Sequence, residues 1–161
     1  MSKTVTPRKP PAAKDVTEEY FRCAAPGKGS LTYEDGYKTG KHHAEIKIAE
    51  WLHSTFGGDI TLLKEAKADS VKRPDYLWNN ALWELKGANS VSAADKRLQH
   101  GIKQIKDNPG GVILNVLEDV DIASMERQLT RRFCRPESEI DTLDLMILSK
   151  GNLVKILRYK K

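Results

Sequence analysis

The stretch RPDYLWNNALWELKG, residues 73–87, decides the fold of this chain because it joins two apolar strand patterns through an Asn-Asn pair. Alternate side chains of an extended strand point to opposite faces, so Glu84 and Lys86 share one face while Trp83 points to the other. An Asn-Asn pair can adopt the positive φ angles of a tight hairpin. The hairpin would therefore place Asp75 beside Glu84 and Lys86 at one end of a small sheet.

A helix before this stretch contributes a further charge. Residues 42–56 carry apolar side chains at helical spacing, and Gly57-Gly58 ends the pattern. Glu45 lies on the same apolar stripe, where an unpaired carboxylate is costly and usually pairs, takes up a proton or binds a metal. The alternative is a partly exposed acid in the first helical turn, which the helix dipole favours.

The rest of the pattern predicts one mixed α/β domain over residues 16–161, after a flexible leader at 1–15 that is rich in proline and lysine. The core order is helix–βββ–helix–β, followed by an extra helix and a C-terminal β-hairpin. After the first helix we predict a strand at 60–63, the hairpin described above, a helix from Ser90 or Ser92 to about 106, a strand at 112–117, a helix at 122–133 and strands at 143–148 and 153–159.

The charge of the chain fits a polyanionic partner without requiring one. Its 27 basic and 22 acidic residues give a net charge of +5. Several basic residues, including Lys96, Arg97 and Lys103, fall on predicted helix faces opposite apolar stripes, where a merely solvated face is an equal alternative. No apolar run approaches the roughly 18 to 20 residues that a membrane span needs, so we expect no membrane partner.

The predicted site suits metal-assisted attack on a phosphate. Asp75 and Glu84 offer the hard oxygen ligands that Mg²⁺ prefers, and the backbone carbonyl of Leu85 lies between Glu84 and Lys86. Such an ion neutralises developing negative charge and lowers the pKa of a bound water. Lys86 would orient or deprotonate that water, or hold the phosphate.

This order of residues, a helix Glu, then Pro-Asp, then Glu-x-Lys on a strand, resembles the PD-(D/E)xK nuclease superfamily, whose core is restriction-endonuclease-like. A closer resemblance runs from about residue 40 to residue 116. Its strings are GKHHAE at 40–45, IAEWL at 48–52, RPD at 73–75, WELK at 83–86, IKQ at 102–104 and VIL at 112–114. They look like the C-terminal nuclease domains of contact-dependent growth inhibition toxins.

The resemblance implies a metal-dependent ribonuclease toxin that cleaves tRNA and is restrained by a cognate immunity protein. It implies action in the bacterial cytoplasm, with delivery as the C-terminal part of a secreted toxin. Carried over by position, the catalytic set is Glu45, Asp75, Glu84 and Lys86, with Gln104 as a weaker candidate on the following helix. The ion would be Mg²⁺ or Mn²⁺, held by Asp75, Glu84, the Leu85 carbonyl and, directly or through water, Glu45. The predicted nucleic-acid contacts are Lys96, Arg97, His100, Lys103, Arg73, His42 and His43.

Alternatives stay open at this stage. Nucleases of this fold also include enzymes that act on DNA, so a metal-dependent DNA endonuclease is the second hypothesis. A non-catalytic nucleic-acid-binding module, in which Glu84 and Lys86 only form an ion pair, is the third. His42 and His43 could assist proton transfer or bind phosphate, or be ordinary residues at a helix start. Trp83 is expected in the core rather than as a platform for bases.

Overall fold

One eight-stranded mixed sheet organises this computed structural model, which describes residues 13–65, 72–135 and 138–161. In chain order the elements are β1 (Lys14–Asp15), α1 (Thr17–Arg22), β2 (Leu31–Tyr33), α2 (His43–Thr55), β3 (Ile60–Leu62), β4 (Tyr76–Trp78), β5 (Ala81–Ala88), α3 (Val91–Ile105), β6 (Pro109–Val116), α4 (Ile122–Phe133), β7 (Thr142–Ser149) and β8 (Asn152–Lys160). Across the sheet the strands follow the order β1-β8-β7-β6-β5-β4-β3-β2.

The sheet combines a parallel centre with antiparallel flanks. Strands β5, β6 and β7 are parallel neighbours, and α3 and α4 are the crossovers between them. Parallel neighbours need such long connections, whereas the antiparallel pairs β4–β5 and β7–β8 are joined by short turns. Glu84 and Lys86 lie within β5, just beyond the point where its pairing with β4 begins at Tyr76 and Trp83.

Helices cover both faces of the sheet and form two apolar cores. On one face α3 and α4 pack against alternate residues of the central strands, such as Val112 and Leu114. On the other face α2 packs against the intervening residues, such as Ile113 and Met146. The continuous apolar run of β6 was predicted to be covered on both faces, and this prediction is confirmed.

The hairpin between β4 and β5 has the predicted conformation. Asn79 and Asn80 have φ angles of 48° and 66°, the left-handed values that asparagine tolerates better than most residues. Trp83 is buried, as expected, on the α2 face. Of the two serines that could cap α3, Ser90 does so, since its side chain accepts a hydrogen bond from the N–H of Ala93 at 3.1 Å.

The mixed α/β class and the element order are confirmed: α2, β3, β4, β5, α3 and β6 follow one another, then α4 and the hairpin β7–β8. Residues 1–12 of the predicted leader lie outside the described residues. Its last residues, Lys14–Asp15, form β1 and pair with Arg158 and Leu157 of β8. The sequence did not indicate β2, a three-residue strand at the edge of the sheet beside β3.

No helix in the described ranges is both long and apolar enough to cross a membrane.

Candidate active site

Asp75 and Glu84 lie opposite each other where β4 begins. Tyr76 pairs with Trp83 in the antiparallel register, so the preceding residue, Asp75, faces Glu84. The backbone N–H of Asp75 donates to Oε1 of Glu84 at 3.1 Å, and the N–H of Leu85 donates to Oδ2 of Asp75 at 2.8 Å. Each carboxylate is thus held by the other strand's backbone. Glu84 is only 2% exposed and Asp75 is half-buried, so the pair lies at the boundary between the interior and the surface.

Lys86 completes the group that the strand pattern predicted. Its Nζ lies 3.0 Å from Oε2 of Glu84, and its side chain is 14% exposed. Leu82 of the same strand face packs against the core formed by α3 and α4. Glu84 and Lys86 therefore project towards the α3 side of the sheet, with an acid and an amine in direct contact.

The environment of Asp75 favours its protonated form. Burial is the largest cause that raises the pKa of Asp75 well above its usual range, followed by a hydrogen bond with the Glu84 carboxyl and by the negative charges of Glu84 and Glu45. Two buried carboxyl groups in contact cannot both ionise without a compensating positive charge. A bound cation would supply that charge in place of the proton.

Glu45 lies in the first turn of α2, where its side chain is 24% exposed. The hydroxyl of Tyr37 donates to its Oε2 at 3.0 Å, and Nδ1 of His42 lies 3.6 Å from its Oε1. The backbone carbonyl of Glu45 accepts a hydrogen bond from the hydroxyl of Tyr76 at 2.6 Å. The charge of Glu45 contributes to the raised pKa of Asp75, so the α2 acid lies near the pair.

The donor set of the site fits a divalent ion that keeps several of its water ligands. Within the described ranges, no three His, Cys, Asp or Glu residues are close enough to share a metal. Mg²⁺, however, commonly binds through one or two carboxylates and keeps several waters. The N–H and C=O of one strand residue point to the same side, so the Leu85 carbonyl faces the edge on which its N–H meets Asp75. Asp75, Glu84 and this carbonyl fit that mode.

A positively charged surface on α3 adjoins the site. The pKa of His100 is lowered, first by burial and then by the nearby positive charges of Lys86, Lys103, Arg97 and Lys72. These cations therefore surround His100 at the side of α3 that meets Lys86. Of the predicted contacts on this helix, Lys96, Arg97, His100 and Lys103 are all exposed. A phosphate chain that reached Lys86 would meet this surface.

Gln104 lies between α3 and the start of the Arg73–Lys86 stretch. Its Nε2 donates to the backbone carbonyl of Arg73 at 3.4 Å. Its Oε1 is buried and, among the described residues, has no hydrogen-bond partner. An unpaired buried acceptor is uncommon in proteins and is often associated with a function or an unseen ligand. Gln104 is thus placed beside the site but does not contact the carboxylate pair in a described hydrogen bond.

The remaining predicted contacts are distributed around the site. The guanidinium of Arg73 pairs with the carboxylate of Glu34, with NH1 and NH2 at 2.6 and 3.1 Å from its two oxygens. This pairing lowers the pKa of Glu34 and raises that of Arg73. His42 caps α2 between Glu45 and Glu65, and its Nε2 lies 3.6 Å from Oε1 of Glu65. His43, the first residue of α2, is exposed.

Sequence reasoning missed two tyrosines. Tyr76 is buried on the α2 face, and its hydroxyl donates to the first turn of α2. Strand alternation around Asp75 could have placed Tyr76 on this face. Tyr37 lies in the loop after β2, and nothing in its local sequence indicated that it would meet Glu45.

Comparison with known proteins gives one fold likeness. No family model and no curated protein matches the sequence. Among solved structures, the chain is similar to a chain of the CdiA-CT/CdiI toxin and immunity complex from Burkholderia pseudomallei, with a TM-score of 0.50 and 14% identity. The match covers 81% of this chain and 99% of that chain. At this identity the likeness shows the fold, and function must be argued from the site.

Proposed function

We propose that this chain is a metal-dependent ribonuclease toxin that cleaves phosphodiester bonds of tRNA. The observation that carries the proposal is the contact group of Asp75, Glu84 and Lys86, which lies beside the cations around His100. The helix–βββ–helix–β order of α2, β3, β4, β5, α3 and β6 supports the proposal, because this is the order that we expect of a PD-(D/E)xK nuclease core. A purely structural ion pair between Glu84 and Lys86 would not explain why a second, half-buried carboxyl, that of Asp75, lies against Glu84.

Each residue has a distinct role in this proposal. Asp75 and Glu84, with the Leu85 carbonyl, would hold Mg²⁺ or Mn²⁺, and Glu45 would assist directly or through water. When bound, such an ion neutralises the charge that builds on the phosphate and lowers the pKa of water. Lys86, held by Glu84, positions or activates the attacking water or binds the phosphate. Gln104 serves as an additional polar contact through its unpaired Oε1.

The proposed biological setting rests on likeness rather than on the site. The fold is similar to that of a chain from a toxin and immunity complex. The strings from residue 40 to residue 116 resemble toxin nuclease domains of the same kind. We accordingly propose a cognate immunity protein as partner, action in the bacterial cytoplasm, and delivery as the C-terminal part of a secreted toxin.

The test is to incubate the purified chain with total tRNA and, separately, with duplex DNA, each in Mg²⁺ and in EDTA. We expect tRNA cleavage in Mg²⁺ alone. Lys86→Ala should slow it by about a hundredfold or more, the range found when a group that moves a proton is removed. Glu84→Ala should also slow it strongly, because it removes a proposed ligand of the metal ion. Matched controls are Glu118→Ala and Lys28→Ala, whose native side chains are exposed and outside the site. Mass spectrometry of the new RNA ends would show whether water or a ribose hydroxyl was the nucleophile.

Each other outcome has a clear meaning. Intact tRNA beside nicked DNA would overturn the RNA assignment in favour of a DNA endonuclease of the same fold. Full cleavage by Glu84→Ala or Lys86→Ala would show that the site lies elsewhere. Calorimetry with no heat of binding for Mg²⁺ or Mn²⁺, together with no cleavage, would indicate a binding module that does not catalyse.

A further inference from the structure

We propose that Tyr33 and Tyr37 form an aromatic platform on which an unpaired nucleobase stacks beside the reacting phosphate. The inference rests on the proposed function and narrows its substrate to nucleic acid that is single-stranded or looped out at the cleaved position. The ring centroids of Tyr33 and Tyr37 lie 5.4 Å apart, and Tyr37 lies 5.2 Å from the ring of His42. Three rings thus form a row from the surface to the start of α2.

The register of the sheet directs this row to the candidate active site. Tyr33 is the last residue of β2 and pairs with Leu62 of β3, which in turn pairs with Tyr76 of β4. Directly opposite residues of neighbouring strands share a face, so Tyr33 lies on the α2 face. Its row is next to that of Asp75 along the strands, although Glu84 in the Asp75 row points to the α3 face. The platform therefore lies at the same end of the sheet as the carboxylate pair.

Tyr37 connects the platform to the acid on α2. Its hydroxyl donates to Oε2 of Glu45 at 3.0 Å. The row of rings therefore leads from the exposed Tyr33 to the α2 acid. A nucleotide whose base stacks on Tyr33 and whose backbone follows this row would bring its phosphate towards Glu45.

The side chain of Tyr33 is exposed enough to contact a ligand, unlike an aromatic side chain of the core. Tyr37 packs against the core beneath α2, whereas Tyr33 is 42% exposed. The neighbouring residues Lys38, Lys41 and Lys64 are also exposed, and their charges suit a phosphate backbone. Bases inside a duplex are already stacked, whereas an unpaired base can turn outwards and stack on an aromatic side chain.

Phe21 provides a matched control for an exposed ring. It is 49% exposed and belongs to α1, with its ring 5.1 Å from that of Phe56. Phe56 caps the C-terminal end of α2, whereas Glu45 lies in the first turn of that helix. Phe21 therefore resembles Tyr33 in exposure but lies at the far end of α2 from the site.

The experiment measures RNA binding by fluorescence anisotropy. It compares a labelled single-stranded RNA of about ten nucleotides, a length that single-strand-binding domains commonly cover, with a labelled duplex RNA of equal length. EDTA prevents cleavage. Stacking of one base contributes about 1 to 3 kcal/mol by alanine substitution, so Tyr33→Ala should weaken single-strand binding about 5- to 150-fold. Tyr33→Phe keeps the ring and should stay within about twofold, as should Phe21→Ala. Duplex binding should change little in all three variants.

Unchanged single-strand binding by Tyr33→Ala would overturn the platform while leaving the proposed nuclease intact, provided that wild-type protein still cleaves tRNA in Mg²⁺. An equal loss on duplex RNA would also overturn it, because that result indicates a general structural effect. If the wild-type chain neither bound RNA nor cleaved it, both the proposed function and the platform would be overturned.

Discussion

The backbone N–H of Asp75 donates a hydrogen bond to Oε1 of Glu84, with 3.1 Å between the two atoms. This bond joins the backbone of Asp75, the residue immediately before β4, to the side chain of Glu84 in the neighbouring strand β5. It brings the half-buried carboxyl of Asp75 against the buried carboxyl of Glu84, which Lys86 contacts at 3.0 Å. Burial first, and then the hydrogen bond and negative charge of Glu84, raise the pKa of Asp75, and a bound divalent ion would supply positive charge in place of the proton.

The raised pKa of Asp75 predicts a specific dependence of stability on pH. The unfolded chain gives this carboxyl an ordinary pKa near 3.8, whereas the folded chain holds it higher, so folding takes up a proton. The stabilisation that comes from this proton uptake is complete below the pKa of Asp75 in the unfolded chain. It decreases as the pH rises towards the pKa of Asp75 in the folded chain. In EDTA between about pH 5 and 8, the free energy of unfolding of the wild type should fall, relative to Asp75→Asn, by about 1.4 kcal/mol per pH unit. Urea unfolding at several pH values measures this difference.

Parallel pH curves for the two proteins would show that Asp75 is ionised in the folded state. The same measurement in saturating Mg²⁺ provides the control. An ion that replaces the proton should reduce the difference in slope between the wild type and Asp75→Asn.

Lys103 should contribute to nucleic-acid binding through its charge alone. It is exposed on α3, and its positive charge helps to lower the pKa of His100 beside Lys86. Lys103→Ala should weaken binding of all sequences similarly and reduce the slope of log affinity against log salt by about 0.7 to 0.9, the effect of one lost phosphate contact. Lys28→Ala should keep the wild-type slope, because Lys28 is exposed in the loop between α1 and β2, where its carbonyl accepts a hydrogen bond from Gly58 beyond the C-terminal end of α2. An unchanged slope for Lys103→Ala would exclude the α3 surface as the phosphate track.

The ion pair of Asp95 and Arg132 should stabilise the contact between α3 and α4. Asp95 is buried, and Nε of Arg132 donates to its Oδ1 at 2.9 Å, which lowers the pKa of Asp95. Asp95→Ala removes the charge-assisted hydrogen bonds that join α3 to α4, so it should lower the free energy of unfolding by about 1.5 to 3 kcal/mol. The exposed pair of Lys150 and Asp119 supplies the control, since Asp119→Ala should cost less than about 1 kcal/mol. Equal effects of the two substitutions in urea unfolding would contradict the prediction.

The close approach of β6 to Trp83 should make Gly111 sensitive to substitution. A Cβ atom at position 111 would overlap the carbonyl oxygen of Asp144 and lie 2.5 Å from the Trp83 ring. Gly111→Ala should therefore destabilise the fold by about 3 kcal/mol or more, because buried backbone and an indole ring cannot move aside cheaply. Gly40→Ala is the matched control, since a Cβ there meets nothing within 4 Å. Similar melting temperatures for both variants would show that Trp83 can shift.

Much of the fold was predictable because its signals are local. The apolar period of residues 122–133 gives α4 its observed bounds, and the Asn-Asn pair gives the hairpin its positive φ angles. Strand alternation placed Glu84 and Lys86 together, and their contact is confirmed. The edge strands β1 and β2 were not predicted, since two or three residues carry too little periodicity to distinguish a strand from a loop.

The sequence by itself determined which side chains share a strand face or a helix stripe, because those relationships depend only on backbone periodicity. Tertiary structure alone decided how distant segments meet. Arg73 pairs with Glu34 and Tyr37 holds Glu45, and no local pattern specifies either contact. Burial likewise decided the protonation of Asp75, because a carboxyl group responds to the solvent and charges that the whole fold leaves around it.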